Sequence, residues 1–192
     1  MNKLHLCCGD IYLKGYENLD IQGTLAEKCS PEDVEANSTT LDQYFKYDFG
    51  SPRRQVIIDG WINLLLPWDG YEDESIDEIV MISAIEHFTE AEAEFIMSEI
   101  KRILKTDGVL KIDFPNVYRT IIDYVDDDPD LCMRLLYCNH KDEFSVHKWG
   151  YTPDTFLTLL GDNTEWKEVQ FKQNLVVNHD YPMVGCIAKR VR

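Results

Sequence analysis

The chain has 192 residues, enough for one domain with a three-layer core, and its 44% hydrophobic and 11% aromatic content excludes a disordered protein. Its 35 Asp and Glu residues outnumber 19 Lys and Arg, and the resulting formal net charge of −16 argues against binding to nucleic acid or to anionic membrane surfaces. We therefore expect a single globular domain over residues 1–192 with an acidic, solvated surface.

No stretch of the sequence has the pattern of a signal peptide, a membrane-spanning segment or a lipidation motif. The six cysteines lack the spacing of a disulfide framework, so we expect reduced thiols. Together these features predict a cytoplasmic protein.

The first twenty residues predict two strands around a short loop. Residues 4–6 end a buried strand, residues 7–10 break it, and residues 16–21 form a second strand that reaches Asp20. A strand, a tight loop and a carboxylate at the end of the next strand are the parts of a nucleoside pocket. The loop lets a ligand approach the backbone, and the carboxylate can accept ribose hydroxyls. This stretch therefore predicts a ligand site, although its loop holds only one glycine.

Residues 22–54 are polar and form the least regular part of the sequence. Ser30 followed by Pro31 is typical of a helix N-cap with proline at the first helical position, and residues 40–45 are consistent with another turn or two. The segment is either an ordinary insertion or a lid over the pocket. Its aromatic residues would line the underside of a lid or the surface of a homodimer, and the sequence leaves both open: Tyr44, Phe45, Tyr47 and Phe49.

Two buried strands are predicted in the middle of the chain. Residues 55–59 are short and rich in β-branched side chains, although Asp59-Gly60 is also a common hairpin turn. Residues 75–83 contain the clearest apolar run of the sequence.

The next element is a helix with well-defined ends. Thr89 and Glu92 have the spacing of a capping box, and apolar residues then recur at helical spacing. Basic residues gather in the last turns, where they suit the helix dipole, and Gly108 ends the element. Residues 109–114 predict the buried strand that follows.

The last third of the chain predicts three helices and two strands. The helices are expected over residues 117–125, from the turn at 126–130 to residue 137, and from the cap at Thr152-Pro153 to Gly161. The strands are expected over residues 168–177 and 183–190. The short link between them favours antiparallel pairing.

Strands alternate with helices as far as residue 114, which favours a mainly parallel sheet with helices on both faces. The predicted fold is thus an α/β, three-layer Rossmann-like sandwich with a seven-stranded sheet and an antiparallel strand at or near one edge. Ligands of such sheets bind at the carboxyl ends of the strands. Those ends should face one crevice.

Several segments, in the right order, resemble class I S-adenosylmethionine-dependent methyltransferases of the type 11-like subgroup. The first strand and its loop stand where that family has an L-D-L-G-C-G-type string, although His5 and Cys7 replace its acidic residue and first glycine. The other similar segments are GYENLDI (15–21), LPW and ESID (66–77), IEHF (85–88), EIKRILKTDG (99–108) and HKWGYT (147–152).

The resemblance implies S-adenosylmethionine as the cofactor and places its binding residues at the strand ends. The loop would line its methionine part, Asp20 would bind ribose, and Ile21 would pack on adenine. The third strand leaves three candidates for the adenine edge, and the fourth strand would border the sulfonium. The implied cofactor residues are Leu6, Cys7, Cys8, Gly9, Asp10, Asp20, Ile21, one of Asp59, Trp61 and Asn63, then Ser83 and Ile85.

Methyl transfer from a sulfonium is an in-line displacement, so the protein mainly positions the acceptor and removes its proton. His87 and His147 are the two candidates for this base, with local packing as the alternative role of each. The expected acceptor is the O or N of a small molecule.

Two other functions fit parts of the sequence. The altered loop is also consistent with a non-catalytic nucleoside-binding or assembly protein on the same scaffold. A nicotinamide-binding domain lacks support because the sequence has no G-x-G-x-x-G string. No metal site is assigned, because the looser spacing of Cys132, Cys138, His140 and His147 favours core cysteines over a zinc site.

Overall fold

The computed structural model describes residues 1–45, 55–140, 143–161 and 164–191. Within these ranges seven strands form one sheet in the order β6-β7-β5-β4-β1-β2-β3. All neighbours are parallel except β7, which runs antiparallel to both β5 and β6. The predicted mainly parallel sheet is confirmed, with its antiparallel strand next to the edge. The strands are β1 Lys3–Leu6, β2 Glu17–Asp20, β3 Gly60–Trp61, β4 Ile76–Ile82, β5 Leu104–Pro115, β6 Trp166–Lys172 and β7 Met183–Arg190.

Five α-helices occur in the described part of the chain, and every one begins at a side-chain N-cap, as the sequence predicts for three of them. None of these helices combines the length and apolar character needed to span a bilayer. They are α1 Pro31–Asn37, α2 Glu90–Ile103, α3 Val117–Tyr124, α4 Pro129–Tyr137 and α5 Pro153–Leu160.

Strand β4 has an apolar second half, Ile79–Ile82, because both of its faces are buried there. Ile79 and Met81 belong to the larger apolar cluster, which includes side chains of α2 and α5. Val80 and Ile82 belong to a smaller cluster. Because successive side chains of a strand point to opposite faces, the two clusters cover the two sides of the sheet. This gives the central strand the continuous apolar run of a parallel sheet.

Helix α2 ends earlier than its sequence predicts. Its capping box is present, but the helix stops at Ile103, five residues before Gly108, and the chain passes directly into β5. Leu104 pairs with Ile76 at the start of β4, so tertiary pairing overrides helix propensity here. Gly108 instead sits in a bulge of β5, where an added Cβ would meet the Lys105 carbonyl oxygen at 2.8 Å.

The third strand of the sheet differs from the prediction. Of residues 55–59, Ile57–Ile58 pair with Thr24–Leu25 in a separate two-stranded sheet. Strand β3 consists of the next two residues after Asp59 and pairs in parallel with β2. The alternative of a hairpin turn at Asp59-Gly60 is therefore wrong, because the chain continues in one direction through it.

The sixth strand is shifted relative to the prediction of residues 168–177. It begins at Trp166 and ends at Lys172. The apolar residues beyond it are not paired in the sheet. Leu175 and Val176 instead pack over Gly185, where an added Cβ would meet the Val176 nitrogen at 2.9 Å, and Val177 joins the smaller cluster. Burial without strand pairing explains their apolar character.

Short parallel pairs tie the described part of residues 22–54 to the rest of the domain. Ser38–Thr39 pairs with Tyr12–Leu13, and Thr24–Leu25 pairs with Ile57–Ile58. Tyr44 is buried. The role of this segment as insertion or lid remains a prediction, and Tyr47 and Phe49 lie outside the described residues.

His5, which stands where the resembled family has an acidic residue, is fully buried between two partners. Its Nδ1 lies 2.9 Å from Asn18 Oδ1, and its Nε2 lies 2.7 Å from the Tyr44 hydroxyl. Because Asn18 Oδ1 only accepts, Nδ1 carries the proton and Nε2 accepts from tyrosine. Burial lowers the pKa of His5 to about 4, and the hydrogen bond to Asn18 opposes this shift only in part.

This buried neutral histidine predicts that stability falls as the pH falls. An unfolded histidine binds a proton near pH 6.5, whereas the folded one does so near pH 4, so the unfolded state gains protons first. Between pH 7.5 and pH 5 the wild type should lose about 2 kcal/mol more free energy of unfolding than His5→Gln. Urea denaturation at both pH values measures this difference. Parallel pH profiles for the two proteins would contradict the assignment.

Candidate functional site

A cavity of about 310 Å³ lies where β1, β2 and β4 end, in the place predicted for a ligand. Its size is in the range of small-molecule sites. More of its wall is apolar than polar. The lining residues are Cys7, Gly9, Asp20, Ile21, Gln22, Ile62, Asn63, Leu64, Leu65, Ser83, Ala84, His87, Phe88, Glu143, Phe144 and Lys148.

The loop after β1 is fixed to the end of β2 by hydrogen bonds. The Gly9 amide donates to Asp20 Oδ2 at 3.0 Å, and the Cys8 amide donates to the Leu19 carbonyl at 3.1 Å. The other oxygen of Asp20 accepts from the Gln22 amide at 3.3 Å. The carboxylate thus has a defined position at the cavity wall.

Two residues of this loop adopt left-handed backbone conformations. Gly9 has φ +56°, and an added Cβ would meet no atom within 4 Å, so open space borders the backbone. Cys7 has φ +51°, a conformation that favours the glycine the resembled family has there. Burial raises the pKa of the Cys7 thiol, and the nearby Asp20 carboxylate adds to the shift, so the thiol is neutral at pH 7.

The residues after β3 supply a mostly apolar part of the wall. The Ile62 amide donates to the Asp20 carbonyl at 3.0 Å, which joins this segment to β2. Asn63 Oδ1 accepts from the Leu65 amide at 3.0 Å. Asp59 points to other partners, because its carboxylate accepts from the Tyr12 hydroxyl at 2.6 Å and from the Asn18 amide at 2.8 Å.

Strand β4 leads into a single helical turn, Ile85–His87, that carries a buried carboxyl group. Glu86 is 2% exposed, and burial raises its pKa to about 8, with the negative charge of Asp113 adding to the shift and a hydrogen bond from its own backbone opposing it. The Glu86 carbonyl accepts from the amides of Lys148 and Trp149 at 2.9 and 3.2 Å. The segment after α4 is therefore held against this turn.

Two histidines lie beside that carboxyl group. His147 Nε2 is 3.9 Å from Glu86 Oε1, and the ring centroids of His87 and His147 are 4.8 Å apart. His87 Nδ1 donates to the Val146 carbonyl, and His147 Nδ1 donates to the Leu136 carbonyl. Burial, together with the neighbouring His87, lowers the pKa of His147 to about 4, so His147 is neutral at pH 7.

Comparison with known proteins points to one family. A family model described as a methyltransferase domain matches residues 60–112, from β3 into β5. A solved SAM-dependent methyltransferase from Methanosarcina mazei is 16% identical, with a TM-score of 0.56, and the alignment covers 99% of this chain and 92% of that one. The predicted resemblance to class I methyltransferases is confirmed. No curated protein sequence matches the chain.

Two further solved structures share the fold of this chain. One is a Pyrococcus horikoshii protein, 14% identical, with a TM-score of 0.56 and coverage of 98% of this chain and 81% of that one. The other is a SAM-dependent methyltransferase from Archaeoglobus fulgidus, 13% identical, with a TM-score of 0.53 and coverage of 98% and 85%.

Half of the residues predicted from the sequence to be cofactor-binding or catalytic lie on the cavity wall. The third strand offered three candidates, and the structure brings Asn63 to the wall. The predicted residues that line the cavity are Cys7, Gly9, Asp20, Ile21, Asn63, Ser83 and His87.

The other predicted residues do not line the cavity. Leu6 and Ile85 belong to the larger apolar cluster, and the buried Cys8 thiol lies 3.8 Å from the Ile57 carbonyl. Asp59 is held by Tyr12 and Asn18. Those that lie off the wall are Leu6, Cys8, Asp10, Asp59, Trp61, Ile85 and His147.

Sequence reasoning also missed part of the wall. Phe88 and Lys148 belong to two of the resembled segments, so the motifs themselves could have indicated them. Glu143 and Phe144 reach the cavity from the segment after α4, which no local pattern connects to the sheet.

The left-handed conformation of Cys7 predicts an unusual order of variant stabilities. Glycine adopts φ +51° without the roughly 1–2 kcal/mol cost of an L-residue, so Cys7→Gly should be more stable than Cys7→Ala by about 1 kcal/mol. At Cys8, whose φ is not positive, Cys8→Ala should be more stable than Cys8→Gly. Urea denaturation of the four variants measures both differences. Finding alanine the more stable residue at position 7 would refute the strain.

Proposed function

We propose that this chain is an S-adenosylmethionine-dependent methyltransferase that transfers a methyl group to O or N of a small molecule. The observation that carries the proposal is the position of Asp20, which ends β2, is fixed by the Gly9 amide and lies on the cavity wall. Two of the compared structures are described as SAM-dependent methyltransferases, which supports this cofactor.

The residues present fit such a cofactor. Each oxygen of the Asp20 carboxylate accepts one hydrogen bond from a backbone amide. The remaining lone pairs can still accept ribose hydroxyls. Ile21 is 44% exposed and offers an apolar surface for adenine. Gly9 leaves open space at its backbone for the methionine part. When bound, the cofactor supplies a methyl group on a positively charged sulfur.

Of the two catalytic candidates, His87 is the better placed. It lines the cavity, and its Nδ1 donates to the Val146 carbonyl, so a neutral ring carries its lone pair on Nε2. His147 does not line the cavity, although one of its ring nitrogens lies within 4.8 Å of ligand atoms of Glu86 and His87. We propose that His87 orients the acceptor and removes its proton, and that His147 acts only through its neighbours.

Other parts of the sequence analysis remain predictions. They are the cytoplasmic location, the single domain over residues 1–192 and the role of residues 22–54. The strongly acidic chain favours a small-molecule acceptor over nucleic acid.

Substitution of Asp20 provides the direct test of the cofactor site. Isothermal titration with S-adenosylmethionine should show binding to the wild type and affinity about 10- to 100-fold lower for Asp20→Asn, because charged hydrogen bonds to the ribose are lost. Asp69→Asn is the control, since this exposed carboxylate belongs neither to the cavity wall nor to the hydrogen bonds that hold the strand ends. It should bind nearly as well as the wild type.

Two results would count against the proposed function. Absence of binding to the folded wild type would overturn it, and equal losses for Asp20→Asn and Asp69→Asn would remove Asp20 from the site. Binding without methyl transfer over a broad panel of acceptors would instead favour the non-catalytic nucleoside-binding alternative.

A further inference from the structure

We propose that Glu86, His87 and His147 form a binding site for a divalent transition metal, with Zn²⁺ as the ion that fits best. One potential ligand atom from each residue lies within 4.8 Å of the other two. Glu86 Oε1 and His147 Nε2 are 3.9 Å apart. The three residues come from two distant parts of the chain, which the amides of Lys148 and Trp149 hold together through the Glu86 carbonyl.

The orientation of both imidazoles suits metal ligation. His87 Nδ1 is 3.1 Å from the Val146 carbonyl, and His147 Nδ1 is 3.2 Å from the Leu136 carbonyl. A carbonyl oxygen only accepts hydrogen bonds, so each Nδ1 carries a proton and Nε2 is the nitrogen left for metal ligation. Metal-ligating histidines almost always donate their second nitrogen in this way, which fixes the ring and the tautomer.

The carboxyl group of Glu86 supplies an independent observation. It is 2% exposed, and its Oε2 has no hydrogen-bond partner among the described residues. A buried polar oxygen without a partner is costly, so such a group in a native protein calls for an ion, a water or a functional role. A metal ion bound by the Glu86 carboxylate gives this group a partner, and a ring nitrogen of each histidine lies in the same cluster of ligand atoms, within 4.8 Å.

The kind of donor favours zinc over magnesium or calcium. Two imidazole nitrogens and one carboxylate oxygen are a common ligand set of zinc sites that keep a fourth position open, whereas Mg²⁺ and Ca²⁺ prefer oxygen ligands. Tetrahedral zinc with bonds of about 2.0–2.1 Å places its ligands roughly 3.3 Å apart. Binding therefore requires the three side chains to close by small rotations from their present separations.

A sulfur-containing zinc site in the same region is not supported. Cys132 is buried, and its thiol lies 3.8 Å from the Thr120 carbonyl. Among the described residues, neither the Cys132 nor the Cys138 sulfur lies in a cluster of three potential metal-ligand atoms.

The metal would lie at the edge of the cavity, because His87 is part of the cavity wall. In the zinc-bound protein the Nε2 lone pair of His87 is used for ligation, so the metal replaces His87 as the activating group. Its open fourth position would receive an oxygen of the methyl acceptor and lower the pKa of the hydroxyl. This link to the acceptor rests on the proposed function, whereas the metal site itself does not.

Zinc titration of the chelator-treated, full-length protein tests the site. Competition with a chromophoric chelator at pH 7.5 should show one zinc ion per chain. Glu86→Gln and His147→Asn should each weaken binding by at least about tenfold. The control variants His140→Asn and Cys138→Ser alter nearby candidate ligands outside the trio and should retain wild-type affinity. No stoichiometric zinc in the wild type, or unchanged affinity in both Glu86→Gln and His147→Asn, overturns the proposal.

Circular dichroism checks that each variant is folded. If a variant is not, X-ray absorption of the zinc-loaded wild type still tests the site. The expected first shell contains only nitrogen and oxygen at about 2.0–2.1 Å, and a sulfur at about 2.3 Å overturns the site. The S-adenosylmethionine titration is a separate measurement. Zinc binding without cofactor binding therefore contradicts only the proposed function, and cofactor binding without zinc contradicts only the metal site.

Discussion

The geometry of the cavity depends on the hydrogen bonds of one buried residue, Asn18. Its Oδ1 accepts from the Leu13 amide and from His5, and its Nδ2 donates to two backbone carbonyls and to Asp59. Its own amide also donates to Asp59. A single side chain thus fixes β1, the loop that follows it and the segment before β3 relative to β2. Because every polar atom of this amide is satisfied, its burial costs little and gives these segments one arrangement.

This network explains which carboxylate is available at the strand ends. Asn18 and Asp20 are two residues apart in β2, so both side chains point to the same side of the strand. The Asp59 carboxylate accepts hydrogen bonds from Asn18 and from the Tyr12 hydroxyl. Asp20 does not bond to Asn18 and lies on the cavity wall. The same network explains why position 5 is a histidine. A neutral ring can donate to Asn18 and accept from Tyr44, whereas a carboxylate could not donate to Asn18.

The sequence predicted the elements whose stability is local and missed those that depend on distant pairing. The capping box of α2 and the apolar run of β4 are visible because each needs only its own residues. Strand β3 has two residues, and its place is set by pairing with β2, so no periodicity could show it. Similarly, Asn63 could be separated from Asp59 and Trp61 only once the hydrogen bonds of Asp59 were known. The approach of His147 to Glu86 depends on backbone hydrogen bonds between segments about sixty residues apart.

The two carboxyl groups near the cavity therefore have different physical situations. Asp20 is partly exposed and accepts two backbone amides, which suits a group that must remain an acceptor for a polar ligand. Glu86 is buried beside Asp113 and two imidazole rings, with one oxygen unpartnered among the described residues. The Glu86 carboxylate receives a hydrogen bond from its own backbone, but this leaves Oε2 without a partner among the described residues. The cost of burying the Glu86 carboxylate must be offset by a bound proton or a bound cation. The ring nitrogens of the two histidines beside it are what would allow that cation to be a transition metal.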